Sequence, residues 1–123
     1  MKKILNDHLP TSDMYKIILI DFAFSDKNTS KLRPALVLTK PDQYGDFIAA
    51  AITSNIHRLP QIGDILIAEN EDTFHDTGLK ISSLIRLSKL TTVNVKRVKG
   101  ELGALPQKYN RQIQKGLSEL FTL

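Results

Sequence analysis

The sequence predicts a mainly β fold, with five or six short strands in one small antiparallel sheet and a single short helix at the C-terminus. Three observations carry that expectation. Dense runs of β-branched and aromatic residues recur along the first hundred positions. Stretches rich in Pro, Gly, Asp and Asn punctuate them. Only the tail shows apolar residues spaced four apart.

Residues 1–14 are polar, contain Pro10 and show no period, so they read as an N-terminal arm to a domain spanning 15–123. Tyr15 to Phe22 (YKIILIDF) is dense in β-formers and reads as a first, buried strand. Ser25 to Lys31 is a polar loop. Pro34 to Thr39 (PALVLT) is the second strand, and Lys40 to Asp46 (KPDQYGD) is a turn rich in breakers. Phe47 to Thr53 (FIAAAIT) is the third strand. A loop to Gly63 leads to a short fourth strand at Asp64 to Ala68. Ser83 to Leu87 and Thr91 to Val98 are two more. Leu105, Tyr109, Ile113 and Leu117 then mark one face of an amphipathic helix, with Pro106 in its first turn and Gly116 weakening it. A sheet this small must close on itself or cover its edges, and an SH3-like barrel is one solution.

The 123 residues suit one domain with a modest core. No apolar run approaches the roughly 18 residues of a membrane span. Met1-Lys2-Lys3-Ile4-Leu5 turns polar at Asn6-Asp7-His8, unlike a signal peptide, which predicts a cytoplasmic protein with no membrane role. The absence of cysteine excludes a disulfide framework, a zinc–thiolate site and a cysteine nucleophile. The net charge is +4, unevenly spread. Residues 1–79 carry 8 Lys/Arg against 11 Asp/Glu, whereas residues 80–123 carry 9 against 2. A basic half favours an anionic partner.

His8, His57 and His75 lie too far apart in sequence for a helical ligand pair, so no metal and no cofactor is expected. No phosphate-cradling glycine loop or catalytic serine elbow is present. Two short elements remain. Arg33 precedes Pro34, which biases it toward an extended backbone at the mouth of the second strand, where its planar fork suits a phosphate. Thr53 and Ser54 end the third strand with consecutive hydroxyls. If those strands pair, arginine and hydroxyls meet at one rim. A surface arginine with a capping Thr-Ser pair is the plainer alternative.

These elements also carry a resemblance. ILIDF at 18–22, Arg33-Pro34 with ALVL, Ile52-Thr53-Ser54, Gly78-Leu79 with Ser83-Leu84-Ile85-Arg86, and Leu102-Gly103-Ala104-Leu105 before the last helix resemble the MazF/PemK toxins in order and spacing. The resemblance covers roughly residues 15–121. It implies a MazF-type, SH3-like barrel that forms a homodimer and cleaves single-stranded RNA without a metal. It also implies an antitoxin whose disordered tail blocks the RNA groove. By the same resemblance Arg33 and Thr53 are the catalytic pair, with Ser54, Phe22, Lys31 and Arg86 as RNA-binding residues. A gyrase-targeting toxin and a non-catalytic SH3-like interaction module are the competing functions.

Overall fold

The computed structural model describes residues 15–23 and 30–122. The predicted arm at 1–14, most of the loop before Lys31 and its Asp26 lie outside the described residues. Six strands form one antiparallel sheet: β1 (Tyr15–Ala23), β2 (Ser30–Val37), β3 (Asp46–Thr53), β4 (Asp64–Ile67), β5 (Ser83–Asn94) and β6 (Val98–Leu105). Their order across the sheet is β4-β5-β3-β2-β1-β6. A 3₁₀ turn at Phe74–Thr77 follows β4, and helix α1 (Asn110–Leu120) follows β6 after a short 3₁₀ turn. A mainly β protein with a C-terminal helix is therefore the observed fold.

The central strands bury both faces, which is why their sequences run apolar rather than alternating. On one face Ile17, Leu36, Ala50, Ile52, Ile85 and Leu87 pack with Tyr109 and Ile113 from the helical tail. On the other, Ile18, Ile20, Ala35, Val37, Phe47, Ala49 and Val93 form a second cluster. Val95 and Val98 pack against this second cluster. Register slips bend the sheet. Ala50 faces Leu90, yet Ala51 faces Arg86, so Leu87, Ser88 and Lys89 fall between two registers. Two further irregularities bend the β1–β6 pairing. Extra residues on one side of a ladder sharpen twist and bend.

That slip explains where the sequence expectation fails. The segment Ser83–Leu87 and the first part of Thr91–Val98, up to Asn94, belong to the single bent strand β5; Val95–Arg97 form a 3₁₀ turn, and the sixth strand is Val98–Leu105. Its sequence, VKGELGAL, carries two glycines and two charges, which are poor strand signals. Of the two, Gly103 serves backbone proximity. A Cβ on Gly103 would lie 2.3 Å from the Asp76 carbonyl oxygen, and one on Gly78 would lie 2.1 Å from that of Leu102. Gly78 also has φ +72°, which disfavours a side chain independently. The turn after β4 is thus pressed backbone to backbone against β6. Leu105 ends β6 rather than starting the helix, and Tyr109 and Ile113 are the buried anchors of the tail.

Candidate active site

The geometry of the site begins with Pro34. In β2 the Leu38 N–H donates to the Ile48 carbonyl of β3 at 2.9 Å, so even-numbered residues of β2 turn their polar backbone groups toward β3. Pro34 is one of these. The register carried on from Leu36↔Ala50 sets it opposite Ile52, and it has no N–H to give. Without that donor the ladder ends at Ala35↔Ala51, although both strands continue. Pairing of β2 with β1 runs on unbroken through Leu19↔Pro34 and Ile20↔Arg33 to Ala23↔Ser30. The two strands are held at their outer sides and unzipped between.

Continued past Pro34 and Ile52, the same register sets Arg33 opposite Thr53, two positions beyond the last β2–β3 pair. Arg33 follows the parity of Ala35, and Thr53 that of Ala51, so both belong to one face of the sheet. Arg33 is three residues inside β2, not at the loop–strand mouth that the sequence suggested, because the pairing with β1 extends the strand backward. Lys31 continues the row as an exposed cation, with Phe22 as its ladder partner on β1. Thr53 pairs with Leu84 of β5 and accepts the Asn55 N–H at Oγ1, 3.1 Å away. That bond closes a turn and leaves the hydroxyl proton able to donate. Ser54 lies exposed just past the strand. Buried Ala35 and half-buried Ala51, the last β2–β3 pair, lie on the same face beside these groups.

Arg86, an RNA-binding residue by the family resemblance, is buried. It lies in β5 opposite Ala51, only 9% exposed, because apolar neighbours on β5 carry it inside. Its Nε sits 3.5 Å from Oδ1 of Asp64, whose side chain is 6% exposed. Sequence reasoning missed Asp64. The available signal was a charge embedded in an apolar stretch, LIRL, which demands a buried partner.

Among the described residues, two groups have displaced proton affinities, and both lie in the 3₁₀ turn that leads into α1. A hydrogen bond to Glu71 raises the Lys108 ammonium above its ordinary value, and burial raises the Tyr109 phenol. Neither belongs to the Arg33–Thr53 face. Among the described residues, no three His, Asp or Glu side chains gather as a metal-ligand set. No described helix is long and apolar enough to cross a membrane.

Comparison with known proteins adds the family. The profile of the PemK-like, MazF-like toxins of type II toxin–antitoxin systems matches residues 13–121. The chain belongs to this family. The MazF/PemK resemblance drawn from Arg33-Pro34 and Ile52-Thr53-Ser54 is therefore sound. Among solved structures, a Mycobacterium tuberculosis toxin, MazF-mt6, is similar to this chain with a TM-score of 0.67 at 17% identity, covering 86% of this chain and 95% of that one. A mycobacterial endoribonuclease in complex with its cognate antitoxin is similar with a TM-score of 0.63 at 12% identity, covering 85% and 88%. At such identities the likeness to these two structures is one of fold. No curated protein matches.

Proposed function

We propose that this toxin is an endoribonuclease that cleaves single-stranded RNA without a metal and is neutralised by a cognate antitoxin. The observation that carries the reading is the facing pair Arg33 and Thr53, on one face of the sheet, where Pro34 ends the ladder between their strands. The endoribonuclease–antitoxin complex of the same fold supports it.

The chemistry follows from what the pair can offer. The RNA 2′-hydroxyl loses its proton as its oxygen bonds to phosphorus. The P–O5′ bond breaks, and O5′ takes up a proton. The products are a 2′,3′-cyclic phosphate and a 5′-hydroxyl. Charge accumulates on the non-bridging oxygens as the fifth bond forms. A fixed guanidinium and an oriented hydroxyl stabilise that charge more than the ground state, which is the condition for rate enhancement. Arg33 supplies the cation, and its pKa above about 12 keeps it charged throughout. Thr53 supplies the hydroxyl donor. Ser54 and Lys31 flank them as contacts for neighbouring phosphates, and Phe22 is the ladder partner of Lys31. DNA lacks the 2′-hydroxyl and is spared.

The test is incubation of purified protein with a long single-stranded RNA in excess EDTA. Cleavage to 5′-hydroxyl ends should persist. Complete inhibition that Mg²⁺ or Mn²⁺ reverses would overturn the metal-free mechanism.

A further inference from the structure

The rows of the sheet place a second cation beside this pair. One row across the face reads Asp64, Arg86, Ala51, Ala35, and the next reads Leu66, Leu84, Thr53, with Arg33 opposite. Arg86 is therefore the diagonal neighbour of Thr53, at a spacing of about 7–8 Å along such a ladder. That lies inside the roughly 8–10 Å Debye length of ordinary buffers, and burial reduces screening further. Its carboxylate partner does not saturate it. Arg86 Nε and Asp64 Oδ1 are both buried without a hydrogen-bond partner, held 3.5 Å apart. This is an ion pair by charge but longer than a hydrogen bond.

Asp64 has a second duty. Its Oδ2 accepts the Gln61 N–H at 2.9 Å, and its own N–H donates to the Gln61 carbonyl at 3.0 Å. Gln61 lies near the end of the loop that leaves the site at Ser54. One buried carboxylate thus fixes both the far end of that loop and the cation beneath its start.

We propose that Asp64 is a positioning residue for the site: it holds the Arg86 guanidinium beside Thr53, so that the positive end of the pair, one strand nearer Thr53 than Asp64, attracts the RNA backbone. The inference rests on the nuclease reading. A buried ion pair is a poor way to gain stability, since apolar residues of similar volume often serve as well. The pair's value then lies in where it puts positive charge.

The experiment separates charge from packing. Asp64→Asn keeps an acceptor for the Gln61 N–H but leaves Arg86 uncompensated, so the melting temperature should fall by roughly 10 °C. In the double variant Asp64→Asn with Arg86→Met, no charge is buried, and the melting temperature should return toward wild type. Binding of a labelled 2′-O-methyl RNA, which cannot be cleaved, should nevertheless stay about tenfold weaker, with KM for cleavable RNA raised more than kcat is lowered. Arg86→Lys, which keeps a cation against Asp64, should bind far better than the double variant. A double variant that binds and cleaves within about twofold of wild type overturns the inference. So does an Arg86→Lys protein that folds yet binds no better than the double variant. In either case Arg33→Ala still reports on the nuclease reading by itself. A wild-type chain that neither binds nor cleaves RNA overturns both.

Discussion

Arg33 owes its setting to the residue that follows it. Pro34 holds it extended and, by lacking a donor, parts β2 from β3 where Arg33 faces Thr53. Arg33 beside a proline and Thr53 at the end of an apolar run are patterns of chain neighbours, so both were legible in the sequence. The pairing of Asp64 with Arg86 was not. Its meaning depends on burial and on a partner twenty-two positions away, which only the folded sheet supplies. The expected outcomes differ accordingly. Arg33→Ala should lower cleavage by about 10³-fold, the usual cost of losing a transition-state cation or donor. Its fold should survive, since no core cluster includes it. Thr53→Val keeps the shape and loses the hydroxyl, so a smaller but clear loss is expected. An Arg33→Ala protein cleaving within about threefold of wild type would remove Arg33 from the site.

At the scale of elements, the contrast lies between strands specified by side chains and a strand specified by backbone proximity. β1, β2 and β3 are rich in Ile, Leu, Val and Ala, and pattern alone located them. β6 is recognisable only once Gly103 is seen against Asp76 and Thr77, and Gly78 against Leu102. The bend in β5 made one strand look like two, because the slip at 87–89 interrupts its periodicity as a loop would. Gly103→Ala tests this account. Its Cβ would meet a carbonyl oxygen and not the pliable end of a side chain, so the backbone must move. A loss of about 2–3 kcal/mol in stability is expected, in the range for overpacking. Chemical denaturation reads it directly, and a loss under about 0.5 kcal/mol would mean that the turn and β6 separate easily.

For the whole molecule, the charge split along the sequence partly folds back on itself. Arg86, Lys99 and Lys108 from the basic tail pair with Asp64, Asp21 and Glu71 from the acidic part. Six other basic residues of the tail remain to give the surface its positive character. An acidic, disordered antitoxin tail should exploit them, compete with RNA and bind more weakly as salt rises. Affinity that does not change between low and high salt would exclude this mode. The edge of the sheet carries another expectation. β4 is four residues long and, among the described residues, has only β5 beside it, and Leu59, Ile62 and Leu66 lie exposed nearby. Burial of such an edge against a second copy accords with the homodimer proposed from family resemblance. Light scattering should give twice the 13.8 kDa of one chain, and a monomer at micromolar concentration would refute it.

The interrupted ladder bears on how this toxin would be disarmed in a growing population. Cells that carry an unneutralised toxin survive by acquiring inactivating changes, and most such changes damage folding or delete a reactive side chain. Pro34 offers a third route. Pro34→Ala restores the donor opposite Ile52 and lets the two strands zip together past Ala35↔Ala51. The regained hydrogen bond contributes about 1 kcal/mol, and the looser unfolded chain offsets roughly 0.4–1 kcal/mol of it. The variant should therefore melt within a few degrees of wild type while Arg33 and Thr53 lose the gap between them and cleavage falls. Among spontaneous survivors, replacements of Pro34 should accumulate as full-length, well-folded protein, recognisable by normal abundance together with lost toxicity. Survivors that carry only destabilised or truncated chains would show that the gap is not what makes the protein toxic.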